Sequence, residues 1–392
     1  MSLRAAWARF AAFYRGLSVF VLNTILLFIF VQLAGRAWFY IHPRQSHGVR
    51  CFLRDVGGAA PRVYPGRSKE EVIALLDEIW SRPVRFQPFT HFKERPYKGR
   101  FVNVSAEGWR RVRKQGPWPP ARDHFNVFVF GGSTTFGYGI ADEETIPSFL
   151  QEHLEGRTPR PARVYNFGCA YYYSSQERVR FEQLLVDGHV PDMAVFVDGL
   201  NDFQTRGEWP ILSDEFDALV EQRAADRPSR QPRWLTLFSP RRMAAALADP
   251  PTSPFAAHTT DPQLADRLIE RYLQNKKMIE SVASAYGVRA VFVWQPLSVY
   301  KFDRKRHQRP DIQPQPLPGV GSQRMAERLQ RRPLGPEFIW ASDIQADVPD
   351  PLYVDAGHYA PNLCRAVARL TADEMEKRGF LRPATGSAAS GR

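Results

Sequence analysis

Residues 126–137 read Asn126-Val-Phe-Val-Phe-Gly131-Gly132-Ser133-Thr134-Thr135-Phe136-Gly137. An apolar, β-prone run ends in two glycines and then a serine. A strand buried on both faces reads as a continuous apolar run, and open α/β sheets place their sites beyond the carboxyl ends of such strands. Ser133 is therefore a candidate nucleophile at a sheet edge. Two further patterns follow it, Gly199-Leu200-Asn201-Asp202 and Asp355-Ala356-Gly357-His358.

Strand and helix patterns alternate outward from this stretch. Strands are expected at 126–130, 163–167, 193–197 and 290–294. Helices are expected at 143–154 and 174–186. A long third helix starts at Thr260-Asp261-Pro262, keeps Leu268, Tyr272, Ile279, Val282 and Tyr286 on its apolar face, and ends at Gly287. A last one opens at Pro361, turns Leu363, Val367 and Leu370 inward, and stops at Gly379. Strands alternating with helices imply a mostly parallel, doubly wound α/β sheet. Residues 203–260 and 303–345 break the rhythm and are rich in Pro. The first is expected to be either a lid over the site or a surface excursion.

The run Leu17–Ala34, LSVFVLNTILLFIFVQLA, holds no charged residue, and Asn23 and Gln32 are its strongly polar positions. That length reaches the lower limit for a spanning helix, and Ala37–Ile41 extends it. Trp38, Phe39 and Tyr40 fall where an interfacial aromatic belt would lie. A cleaved signal peptide would have a shorter apolar core and a small-residue cleavage site. The expectation is an uncleaved single-pass anchor over 17–41, after an N-terminal segment 1–16. Arg4, Arg9 and Arg15 precede the run and Arg36, Arg44 and Arg50 follow it, so flanking charge is nearly balanced. Residues 42–122 are rich in Pro, Arg and aromatics. Within them Ser68-Lys69-Glu70-Glu71 resembles a capping box opening an amphipathic helix with Val72, Ile73, Leu75, Leu76, Ile79 and Trp80. This region is expected to be a stalk packing on a domain that covers 123–381. Residues 382–392 read as a disordered tail.

The chain has 392 residues, 44% of them hydrophobic, enough for a substantial core. Its formal charge of +12 favours anionic partners such as lipid headgroups or acidic polysaccharide. The arginines are spread widely and no nucleic-acid-binding motif is present. Cys51, Cys169 and Cys364 are far apart, which excludes a disulfide framework and a cysteine zinc site. One bridge, Cys51–Cys364 or Cys169–Cys364, stays open in an oxidising compartment. The histidines show no metal-ligand spacing, and neither metal nor cofactor is expected.

Four blocks in order resemble the SGNH/GDSL hydrolase superfamily, in a membrane-anchored subgroup. Gly131-Gly132-Ser133 resembles its nucleophile block and Asn166-Phe167-Gly168 its glycine block. Gly199-Leu200-Asn201-Asp202 resembles its asparagine block and Asp355-Ala356-Gly357-His358 its acid–base block. The resemblance spans about 125–380 and implies a flavodoxin-like three-layer sandwich carrying a serine esterase. It assigns Ser133 as nucleophile, His358 as base and Asp355 as the group that holds its ring. It assigns the oxyanion hole to the N–H groups of Ser133 and Gly168 and the Asn201 amide. The family's Gly-Asp-Ser is here Gly-Gly-Ser, so Gly132 replaces a supporting aspartate.

The substrate so implied is an acyl ester, in particular acetyl esters of envelope glycans or lipids outside the cytoplasm. The same triad would serve an O-acyltransferase of an extracytoplasmic polysaccharide, beside a multispanning acyl-transfer or export protein. A third reading is a non-catalytic envelope assembly protein whose site is covered by 203–260. Tyr171, Tyr172 and Tyr173 are candidates for a sugar-binding cleft or for packing, and Gln295-Pro296 for the pocket rim or a strand-ending turn.

Overall fold

A computed structural model of the chain describes residues 3–41, 60–82, 84–206, 209–210, 259–307 and 315–382. The apolar N-terminal run forms helix α1 (Leu3–Ile41). Its stretch Trp7–Gly35, whose most apolar 18 residues have a mean hydropathy of 2.3, is not covered by the other described residues and is long and apolar enough to cross a membrane. Helix α2 (Lys69–Trp80) begins at the capping box: Glu71 N–H donates to Ser68 Oγ, and Ser68 N–H to the Glu71 carboxylate.

The body is a five-stranded sheet. Its strands are β1 (Phe125–Gly131), β2 (Ala162–Asn166), β3 (Met193–Asp198), β4 (Arg289–Trp294) and β5 (Phe338–Trp340), in the spatial order β5-β4-β3-β1-β2. Every pairing is parallel. This is the flavodoxin-type order, whose switch point lies between β1 and β3. Side chains alternate faces along a strand. Val127 and Val129 of β1, Val195 of β3 and Val293 of β4 enter one core with α4 (Ile146–Leu154), α8 (Pro361–Lys377) and α2. Phe128, Phe130, Phe196 and Phe292 enter the other with α5 (Ser174–Val186), α6 (Pro262–Ala285) and α7 (Leu317–Arg331). All seven β1 residues are buried, as the unbroken apolar run requires.

Two elements depart from the expectation. Helix α7 and strand β5 both fall in 303–345, which reads as irregular. The first turn of α7 holds Pro318 and Gly319, residues that normally punctuate rather than build a helix. Strand β5 is three residues long and takes its pairing from β4, with Phe338, Ile339 and Trp340 opposite Phe292, Val293 and Trp294. The expected helix 143–154 begins at Ile146, after a 3₁₀ turn at Asp142–Glu144. Cys169 and Cys364 are both buried free thiols, so the expected alternative of a bridge between them is set aside. Cys51, most of 203–260 and the tail beyond Arg382 lie outside the described residues.

Candidate active site

Strand β1 ends at Gly131, and Gly132 caps the short helix α3 (Ser133–Phe136). Ser133 is its first residue and remains partly exposed at the switch point. Gly137 closes the turn in the left-handed region at φ 94°, where a side chain is disfavoured. Gly132 is required by close approach, since a Cβ there would lie 2.2 Å from Asn201 Nδ2. The Asn201 amide thus sits directly against the turn that opens at Ser133.

Asp355 and His358 lie in the loop before α8. Asp355 Oδ1 accepts the N–H groups of Gly357 (3.0 Å) and His358 (2.8 Å), and Oδ2 meets His358 Nδ1 at 2.6 Å. His358 Nε2 lies 2.9 Å from Ser133 Oγ. The carboxylate contact puts the single proton of a neutral ring on Nδ1, leaving Nε2 to accept the serine O–H. Burial pushes the Asp355 carboxyl up. The His358 charge and hydrogen bond, with the two N–H donors, outweigh this and hold it at about 2. The loop is tied to its surroundings by Ser298 Oγ donating to Ala356 O (2.5 Å) and by His307 Nε2, 2.9 Å from Asp355 O.

Asn201 sits in a 3₁₀ turn beyond β3, and its amide donates to Tyr172 O at 2.7 Å. One amide hydrogen is used there and a second remains. Gly168 follows β2, in the turn beside the helix that Ser133 opens. Its N–H donates to Asn166 Oδ1 at 2.9 Å, and a Cβ would fall 2.3 Å from Phe136 N. The glycine thus allows the turn after β2 to pack on the nucleophile helix. Tyr171, three residues on, adopts φ 63°, a left-handed conformation unusual for a bulky side chain. Tyr172 is buried with its hydroxyl donating to Phe92 O, while Tyr171 and Tyr173 are half-buried. Gln295 is buried at the end of β4. It accepts from Thr134 Oγ1 (2.7 Å) and Tyr359 OH (2.8 Å), joining the nucleophile helix to the start of α8.

Sequence reasoning missed a buried carboxyl group cluster behind the Asn201 turn. Glu177 of α5, Asp198 ending β3 and Asp202 are 1%, 3% and 1% exposed. Ser174 Oγ donates to Asp202 Oδ1 at 2.6 Å. Burial, then the neighbouring carboxylates, push Glu177 and Asp198 well above the ordinary carboxyl range. Their sequence spacing gives no sign that three strand-end and helix positions converge.

Residues 129–317 match the model of the GDSL-like Lipase/Acylhydrolase family. Ser133, Gly168 and Asn201 fall inside that span, and Asp355 and His358 beyond it. No curated protein matches the chain. Among solved structures, the chain is similar to the lipase/acylhydrolase from Enterococcus faecalis, at 15% identity over 66% of this chain and 98% of that one, with a TM-score of 0.34. It is also similar to a GDSL-like lipase from Bacteroides thetaiotaomicron VPI-5482, at 12% identity over 66% and 91%, with a TM-score of 0.34.

Proposed function

Because the chain belongs, through residues 129–317, to the GDSL-like lipase and acylhydrolase family, we propose that it is a membrane-anchored serine esterase. The observation that carries the mechanism is the unbroken contact line Ser133 Oγ–His358 Nε2–His358 Nδ1–Asp355 Oδ2, at 2.9 and 2.6 Å across its two hydrogen bonds. A serine hydroxyl is a weak nucleophile until a base removes its proton. In this reading His358 Nε2 takes that proton as Ser133 Oγ bonds to the ester carbon. Asp355 keeps the ring in its tautomer and stabilises the imidazolium that forms. The imidazolium returns the proton to the leaving alcohol as the C–O bond breaks, leaving an acyl-serine. Water then attacks the acyl carbon and gives its proton to His358, which passes it to Ser133 Oγ as the acyl–oxygen bond breaks, releasing the acid and restoring the serine.

The negative charge on the tetrahedral oxygen needs donors in place before it forms. The Ser133 N–H and the second amide hydrogen of Asn201 are the proposed pair, supported by the packing of that amide against Gly132. Gly168 N–H, expected as a third donor, would have to leave Asn166 Oδ1 to serve. The proposed substrates are small acyl esters, first of all acetyl esters of envelope glycans or lipids, presented near the membrane that α1 would cross. The apolar, uncovered stretch Trp7–Gly35 supports that placement.

The test is labelling of the detergent-solubilised protein with a fluorophosphonate, comparing wild type with Ser133→Ala and His358→Ala. Labelling of wild type alone is expected. Folded wild type that resists the probe would sink the mechanism.

A further inference from the structure

Two aromatic neighbours of His358 among the described residues come from different parts of the chain. Tyr138, just beyond the nucleophile helix, stacks on the imidazole with centroids 5.6 Å apart and planes 24° apart. Trp80, the last residue of α2, meets it edge-on at 5.9 Å and 75° and meets Tyr138 at 4.9 Å. Trp80 precedes the residues that match the family. Its helix cannot shift freely, because Val72, Leu75, Leu76 and Ile79 are buried in the main core.

The same preceding segment reaches the site at two more places. Glu94, 1% exposed, accepts from Tyr138 OH at 3.3 Å and from Ala170 N–H at 3.1 Å, in the turn after Gly168. Its second oxygen lies 3.6 Å from Arg82 Nη1, two residues beyond Trp80. Arg110, fully buried, donates to Asp142 Oδ1 (2.8 Å) and to the carbonyls of Phe136 (2.9 Å), Gly137 (2.8 Å) and Ile140 (2.7 Å). Phe136 and Gly137 close the helix that Ser133 opens, and Ile140 lies in the turn beyond it. Buried charges are expensive unless paired and hydrogen-bonded. Here Arg110 is bonded to the backbone that follows Ser133, and Glu94 to the turn after β2. Catalysis by a triad depends on the imidazole plane, since one ring must serve Ser133 and Asp355 at once.

We propose that residues 80–110 are a positioning layer of the active site, in which Trp80 and Tyr138 fix the plane of the His358 ring and Glu94 fixes Tyr138 and the turn that carries Ala170. The inference rests on the serine-esterase reading above. Trp80 is a positioning residue, acting through His358 rather than on the ester.

The experiment uses the full chain in detergent, with Trp80→Ala, Trp80→Phe and Glu94→Gln beside wild type and Ser133→Ala. Rates of fluorophosphonate labelling and kcat and KM for p-nitrophenyl acetate are measured from about pH 5 to about pH 9, with Tm as the folding control. Trp80→Ala is expected to lower both kcat and the labelling rate by about 10- to 100-fold, with KM within about twofold and the acid limb of the pH profile displaced. Trp80→Phe recovers most of the loss, and Glu94→Gln lowers kcat in the same direction. Wild-type rates in Trp80→Ala or Glu94→Gln, or a loss that follows Tm alone with an unmoved pH profile, overturn the inference while labelled wild type leaves the esterase reading standing. Should Trp80→Ala fail to fold, Glu94→Gln decides by the same rates. Unlabelled wild type overturns both.

Discussion

Ser133, His358 and Asp355 illustrate how much of a site depends on single atoms. The Asp355 contact sets which imidazole nitrogen is free, so Asp355→Asn removes the ionic partner while keeping the shape. Its kcat is expected to fall by roughly 10²- to 10⁴-fold, read on p-nitrophenyl acetate, with the fold kept. The same carboxyl links pH to stability. Its folded value of about 2 lies below the ordinary value, so its contribution is complete above about pH 4 and is lost as pH falls through about 2. Thermal melts of wild type should therefore drop relative to Asp355→Asn across that window. At Gly132 the added methyl of Gly132→Ala meets Asn201 Nδ2 at 2.2 Å. If Asn201 is an oxyanion donor, displacing it lowers kcat by about 10²- to 10³-fold, and an unaffected kcat would remove Asn201 from the mechanism.

Among the elements, α5 and the end of β3 carry an electrostatic load that the catalytic groups do not. Glu177, Asp198 and Asp202 converge in the core beside Tyr272, Asn275 and Arg271 of α6. A carboxyl raised in the folded state favours folding at low pH and loses that contribution as pH rises through its folded value. Glu177→Gln, which removes one charge at nearly constant volume, should raise Tm more at about pH 8 than at about pH 5. An equal change at both would show that Glu177 is not the group that ionises. The capping box of α2, the Asp261 cap of α6 and the glycine after α8 were legible because each element carries its own start or stop. Strand β5 and helix α7 were not, since three residues of strand have no period to read and α7 opens with residues that disfavour helix.

For the whole molecule, the segment before the sheet is part of the same core. Leu75 and Leu76 of α2 are fully buried there. Leu76→Ala should cost about 2–5 kcal/mol in a denaturant melt, as for a core leucine rather than a spacer. A chain beginning at residue 123 should accordingly be insoluble or lack a cooperative transition. Removing residues 1–41 is a different matter. The proposed anchor predicts that this deletion moves the protein from the carbonate-resistant membrane fraction to the soluble one, and retention in the membrane would argue against it.

By itself the sequence determined the α/β alternation, the uncharged spanning-length helix and the chemical types at Ser133, Asn201, Asp355 and His358. These follow from local periodicity, caps and residue chemistry, which need no knowledge of distant neighbours. Tertiary structure alone decided that Gly168 gives its N–H to Asn166, that Gly132 makes room for the Asn201 amide, and that Trp80, Glu94 and Arg110 reach the segments around Ser133, Gly168 and His358. Such contacts join residues up to about 280 positions apart, as Trp80 and His358 are, so no local pattern encodes them. They arise when the parallel sheet brings its strand ends together and α2 folds back onto them.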